Sequence, residues 1–276
     1  MSSITVVLPV KNEAKNLLRC IEAAVSIGPI VVVDSGSTDE TQEVARAAGA
    51  EVLNFEWNGQ FPKKRNWTLR NYNFNTEWVL FLDADEFVSS DFIEEVKAAI
   101  KSTEHAGFWL NFSNYFMGKQ LKGGDVFRKL ALFRIDAGEY EKIEEDNWSH
   151  LDMEVHEHPV LDGSIGRISA SIEHNDFRGL KHYIAKHNEY SSWEAARYFR
   201  LRENNGVRSD SAEWQGLTDR QKKKYRNLAK WWFAPAYFVV SYLFKRGFRD
   251  GAVGFHFSLL KAIYFYQIRL KIREQG

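Results

Sequence analysis

Five apolar residues run directly into three carboxylates in Trp78-Val79-Leu80-Phe81-Leu82-Asp83-Ala84-Asp85-Glu86. Two acids separated by one residue can share a hard divalent ion through oxygen ligands, with phosphate oxygens and water completing the shell. Asp-x-Asp also ends many strands in plain solvated turns, so the motif takes its meaning from its surroundings. A second cluster, Asp152-Met153-Glu154-Val155-His156-Glu157-His158-Pro159, brings together three acids and two histidines with the chemistry of proton transfer. An exposed acidic loop is the plainer reading of that cluster. Zinc does not suit it: His156 and His158 are two apart, no cysteine is near, and no third ligand has suitable spacing.

Both clusters need a scaffold. The apolar run 78–82 has the length of a strand buried on both faces. Its acids then stand at the carboxyl end, where open α/β sheets bind ligands. Upstream, Ile4 to Leu8 reads as a strand ended by Pro9, and Ala14 to Ile27 as a helix with Leu17, Leu18, Ile21 and Val25 along one side. Ile30 to Val33 is the next buried strand, ending at Asp34. Thr38 to Ala48 is expected as a helix capped by Ser37 or Thr38, and Ala50 to Phe55 as a third strand. Alternation of strand and helix predicts a parallel sheet with right-handed crossovers. The polar residues after each strand then collect on one sheet edge with Asp83 and Asp85. Capping accounts for Ser37-Thr38-Asp39 as well as a ligand does, whereas Asp34 at a strand tip can accept a ring N–H. Gly59 to Asn66 is a basic turn able to approach the same edge, although a solvated charge run explains it too.

Beyond this half, Ser90 or Asp91 caps a helix to about Ile100 with Phe92, Val96 and Ile100 inward. Phe108 to Tyr115 alternates like a strand lining a cleft, and Leu130 to Ile135 is another strand. His174 follows the alternating run Ile165 to Ile172 and falls at a strand end. Leu180 to Arg202 reads as a helix with Tyr183, Ile184, His187 and Tyr190 inward, and 204–219 as polar loop.

The chain has 276 residues, 44% hydrophobic, with 37 Lys and Arg against 37 Asp and Glu. No net field therefore draws nucleic acid to it. A single cysteine, Cys20, cannot form an internal disulfide and fits a reducing compartment. No leader-like segment precedes the first strand. The charge is uneven, however: from Lys245 to Arg273 there are seven basic residues and one acid. Trp231 to Phe244 is almost wholly apolar, but its fourteen residues, interrupted by Pro235, fall short of the about 20 that a spanning helix needs. Short apolar helices flanked by Trp, Tyr, Lys and Arg fit a surface lying in a membrane interface. A hairpin packed on the same chain or on a second subunit is the alternative.

Four motifs in order, Pro9-Val10-Lys11-Asn12-Glu13, Val32 to Asp39, Lys64-Arg65-Asn66 and Leu82 to Glu86, resemble family-2 glycosyltransferases of the GT-A fold. Lys11, Val155-His156-Glu157 and Ile172-Glu173-His174 are similar to the subgroup of lipopolysaccharide inner-core β-1,4-glucosyltransferases. The resemblance covers roughly 1–200. It implies a Rossmann-like, mostly parallel sheet flanked by helices, a uridine-diphosphate sugar as donor (UDP-glucose favoured) and a divalent metal, manganese or magnesium. Carried over by position, Pro9, Val10 and Glu13 line base and ribose, Asp34 holds the uracil N–H with Ser35 beside it, and Lys64 or Arg65 lies near base or phosphate. Asp83 with Ala84 faces the ribose, Asp85 binds metal, and His174 is a metal or diphosphate ligand. Glu157 is the expected base, with Glu154 and Asp152 as competitors.

The expected organisation is therefore a GT-A domain over 1–203, divided into a nucleotide half (1–100) and an acceptor half (101–203), then a basic linker (204–227) and an amphipathic helical tail (228–276). Expected partners are a saccharide or glycolipid acceptor, an anionic membrane surface on the cytoplasmic side, and a second copy through the C-terminal helices. A nucleotidyltransferase can share fold and acidic site, but 9–13 lacks the glycines that would cradle a triphosphate. A non-catalytic binder of sugar nucleotides is the other alternative.

Overall fold

The computed structural model describes residues 3–124, 127–142, 152, 158–176, 178–203 and 206–276. In chain order its main elements begin with β1 (Ile4–Val10), α1 (Ala14–Ala24), β2 (Ile30–Asp34), α2 (Thr41–Ala47), β3 (Glu51–Asn54), α3 (Lys64–Asn71), β4 (Trp78–Phe81), β5 (Glu86–Phe87) and α4 (Ser90–Ala99). There follow β6 (Gly107–Phe116), β7 (Lys119–Gln120), β8 (Phe127–Arg134), β9 (Gly138–Tyr140), β10 (Pro159–Leu161), β11 (Ile165–His174) and α5 (Gly179–Arg200). The C-terminal part holds α6 (Ala212–Gly216), α7 (Asp219–Asn227), α8 (Phe233–Val239) and α9 (Gly251–Gln275).

Two compact units result: 1–115 with 126–177, and 116–125 with 178–276. The first is mixed α/β. Its main sheet runs β3-β2-β1-β4-β8-β6-β11-β5. The β3-β2-β1-β4 part is parallel throughout. β8 then pairs antiparallel with β4 and β6, β11 parallel with β6, and β5 antiparallel with β11. The chain leaves β1 toward β2 and β3, then returns to β4 on the other side. In open α/β sheets such a reversal is where the ligand crevice lies, here beyond the carboxyl ends of β1 and β4.

Apolar strands explain the sheet. All seven residues of β1, all five of β2 and all four of β4 are buried, as parallel strands covered on both faces require. In α1 the buried set Leu17, Cys20, Ile21 and Ala24 follows helical spacing. Leu18 and Val25, expected on that side, are exposed because they sit one residue round the helix. The helix α2 starts at Thr41, later than expected. Its first-turn N–H of Thr41 donates to Asp39 Oδ1, so Asp39 does the work assigned to Ser37 or Thr38. Ser89 caps α4 by accepting from Phe92 N–H, and Phe92, Val96 and Ile100 are buried as expected. Phe108, Leu110 and Phe112 of β6 belong to the core.

The second unit is helical. Its core contains Ala195, Tyr198, Leu201, Trp214, Leu217 and Tyr225, among others. This corrects the linker expected over 204–227. There, α7 opens with a capping box in which Thr218 and Gln221 satisfy each other's backbone N–H. The charge run reads as linker only because its lysines and arginines outnumber the few large residues that are buried between them. Likewise α5, expected to close the first domain, groups with the C-terminal helices. Ile184 of α5, expected inward, is exposed.

Candidate active site

The crevice end of the sheet gathers β1, β2, β4 and β11. Register places Val10 beside Asp34, and His174 of β11 opposite Glu86 of β5. The segment between β4 and β5 carries Asp83, Ala84 and Asp85.

Asp83 is held from two sides. Arg65 donates to Oδ1 at 2.8 Å and the Lys129 ammonium to Oδ2 at 2.5 Å. Lys129 also bonds Glu86 Oε1, and Glu86 Oε2 accepts the Asp83 N–H at 3.0 Å. Burial pushes the Glu86 carboxyl up; Lys129 pulls the other way and Asp83 adds to the rise. Burial opposes the Lys129 ammonium, but Asp83 and Glu86 together raise it above its usual range. Lys129 is the participant that sequence reading missed. It lies in an exposed-looking basic pair on β8, and only the sheet register brings it across from the acids. Neighbouring Cys20 is buried, with its thiol pushed up chiefly by burial.

Asp85 is buried, and its Oδ2 lies 3.5 Å from His174 Nε2. His174 Nδ1 lies 3.0 Å from Asn114 Oδ1. An amide oxygen only accepts, so Nδ1 carries a proton, and Nε2 is the nitrogen that faces the Asp85 carboxylate. A ring nitrogen fixed in this way by its other N–H is the usual arrangement of a metal-ligating histidine. Burial disfavours the imidazolium, yet Asp85 and then Glu86 outweigh it and raise the His174 pKa. The two expected metal residues are thus brought together. A separation of 3.5 Å is within what two donors, each about 2.1 Å from a common ion, can span. One carboxylate oxygen and one imidazole nitrogen are donors that a divalent cation could share. Among the described residues no group of three or more His, Cys, Asp or Glu is disposed to hold a metal ion by itself.

The nucleotide-side residues are more absorbed by the fold than their spacing suggests. Asp34 is fully buried and accepts Ser37 N–H at 3.0 Å, Gln42 Nε2–H at 2.7 Å and the Ser37 hydroxyl. Burial would raise its carboxyl; the Ser37 and Gln42 donors outweigh that and hold it below 3.8. An ionised carboxylate offers about four acceptor positions, and these donors take three of them. Ser35 N–H donates to Val10 O at 3.3 Å. Loops 11–14 and 37–41 are laced together: Asn12 N–H donates to Ser37 Oγ, Thr38 N–H to Asn12 Oδ1, and Glu13 N–H to Thr41 Oγ1. Pro9 lies within β1 and is buried. Lys64 turns inward, donating to Val10 O at 2.9 Å and lying 3.3 Å from Asp152 Oδ2. Burial lowers its ammonium pKa, and Asp152 partly offsets this. Glu157 and its competitor Glu154 lie outside the described residues.

Comparison with known proteins follows the same lines. The family model for glycosyl transferase family 2 matches residues 5–149, just over half of the chain. The lipopolysaccharide core biosynthesis glycosyltransferase LpsC of Rhizobium meliloti is 25% identical over 96% of this chain and 89% of that protein. A TPR repeat-containing protein of Synechococcus elongatus is 29% identical over 39% of this chain, which spans only 27% of that longer protein. Among solved structures, glucosyl-3-phosphoglycerate synthase from Mycobacterium tuberculosis in complex with Mn²⁺ and UDP-glucose covers 41% of this chain and 44% of that chain. Its sequence identity is 23% and its TM-score 0.34, a likeness too slight to build on.

Proposed function

The chain belongs to glycosyl transferase family 2, and on that premise we propose that it moves a hexose from a uridine-diphosphate sugar, UDP-glucose first among them, to a saccharide acceptor. The acceptor hydroxyl attacks C1 of the sugar as the bond from C1 to the phosphate oxygen breaks, and configuration inverts. The hydroxyl proton passes to a carboxylate, for which Glu157 is our assignment. Its competitor Asp152 is already engaged with Lys64. An acceptor of the lipopolysaccharide-core or lipid-linked kind is supported by the name of LpsC.

The observation that carries this reading is the Asp85–His174 pair at the crevice, with the other ring nitrogen of the histidine bonded to Asn114. These two side chains would hold the divalent cation, which when bound neutralises the departing diphosphate. Asp34 offers its remaining acceptor position to a pyrimidine N–H. Asp83, with Arg65 and Lys129 on either oxygen, is oriented as an acceptor for a ribose hydroxyl.

A thermal-shift panel of nucleotide sugars with and without Mn²⁺ tests the proposal, because a ligand that binds only the native state raises the melting temperature. We expect UDP-sugars to shift it, more strongly with the metal, and Asp85→Asn to abolish the metal-dependent part. No shift with any uridine-diphosphate sugar, with or without metal, would refute it.

A further inference from the structure

The helix α9 is apolar on two faces. Its buried side carries Gly254, Ser258, Ala262, Ile268 and Ile272. On the outward side Phe255, Leu259, Ile263, Tyr266 and Leu270 follow one another at intervals of three or four residues, each 38–47% exposed. At 1.5 Å per residue this stripe is about 22 Å long. Phe238 and Tyr242 each meet the Phe255 ring at 5.6 Å, which joins the 238–244 segment to the top of the stripe. On that segment Leu243 is 53% and Phe244 77% exposed, and Trp231, seven residues before it, is 73% exposed. So large a continuous apolar face marks an interaction surface.

Charge selects the occupant. Residues 228–276 contain eight Lys or Arg and two Asp or Glu, in a chain that is neutral as a whole. One of the two acids, Asp250, is buried and accepts the N–H groups of Lys122 and Gly123. Lys230, Arg246, Arg249 and Arg273 are exposed toward the ends of the apolar face. A second copy would bring like charge against like. An anionic lipid surface satisfies both features, since basic side chains meet headgroups while Trp, Tyr, Phe and Leu enter the acyl boundary. No helix among the described residues is long and apolar enough to cross a membrane. We propose that the outward face of α9 and the 231–244 segment docks the protein on an anionic bilayer, lying in its interface. This does not depend on the transfer reading, because it concerns a surface and not the crevice.

Co-sedimentation of the full chain with vesicles of phosphatidylglycerol and phosphatidylcholine, or of phosphatidylcholine alone, tests it. We expect partition into the anionic vesicles that falls with added salt, and a blue shift of tryptophan emission on binding. Phe244→Ser with Leu259→Ser should lower the partition coefficient at least tenfold with an unchanged circular dichroism spectrum. Lys230→Glu with Arg249→Glu should abolish the preference for anionic vesicles. Three results would overturn the proposal: no partition by the parent chain, equal partition by parent and serine variant, or a dimer in sedimentation equilibrium that the serine variant dissolves while vesicles stay unbound.

Discussion

His174 Nε2 faces Asp85 Oδ2 at 3.5 Å because β11 and β5 pair antiparallel, with the last residue of β11, His174, opposite the first of β5, Glu86. A residue near position 174 and the acids of 83–86 thereby share one corner of the sheet. Asn114 on the parallel neighbour β6 reaches the far side of the same imidazole.

That arrangement makes Asn114 a test of the metal assignment. Asn114→Ala removes the acceptor for Nδ1–H and should weaken Mn²⁺ binding about 10–100-fold. Asn114→Asp still accepts from Nδ1 and should retain most of it. Calorimetric titration of Mn²⁺ in the presence of UDP reads the difference. Unchanged affinity in both Asn114→Ala and Asp85→Asn would remove this corner from metal binding.

Lys129 neutralises a carboxylate that has no exposure to water, Glu86. Lys129→Met should cost about 3–5 kcal/mol, as breaking one side of a buried ion pair does. Because the Lys129 side chain is 23% exposed, the lower end is expected. Adding Glu86→Gln should recover part of the loss. Urea unfolding of the single and double variants provides the measurement.

The second unit should respond to acid through His187. Its Nδ1 donates to Tyr183 O at 2.9 Å and its Nε2 faces the Lys261 ammonium at 3.4 Å. Burial and then Lys261 lower its pKa from 6.5 to about 4. The unfolded chain therefore takes up a proton that the folded chain refuses between these two values. Stability is complete above pH 6.5 and declines toward pH 4, by at most about 3 kcal/mol. His187→Gln should flatten that decline in thermal melts recorded across the window, and an unaltered slope would place the pH response elsewhere.

Trp214 distinguishes a packed segment from a tether. It is 4% exposed in the core of the second unit. Trp214→Ala should cost about 3–5 kcal/mol, whereas a linker position would stay within about 0.5 kcal/mol. Chemical denaturation followed by circular dichroism separates the two outcomes.

Much of the first unit was legible because its signals are local. Val-, Ile- and Leu-rich runs such as 30–33 and 78–82 can be little else than covered strands, and their carboxyl ends follow from direction alone. The resemblance implies Asp85 and His174 as two separate ligands; the structure sets them 3.5 Å apart. The errors also have local causes. Leu18 and Val25 were set inward by hydrophobicity, although 100° of rotation per residue carries them off the buried face of α1. Asp34, set apart in the sequence from the capping residues, accepts from both Ser37 and Gln42 of its own loop.

By itself, then, the sequence determined the alternation of strands and helices, the edge on which the acids gather and the basic, aromatic character of the tail, because each depends on residue type and short-range period. Only the tertiary structure decided that Lys129 sits between Asp83 and Glu86, that Asn114 fixes His174, and that Trp214 and Tyr225 turn a charged stretch into core. Those depend on register between strands and on packing between helices far apart in the chain, and no spacing along a sequence carries that information.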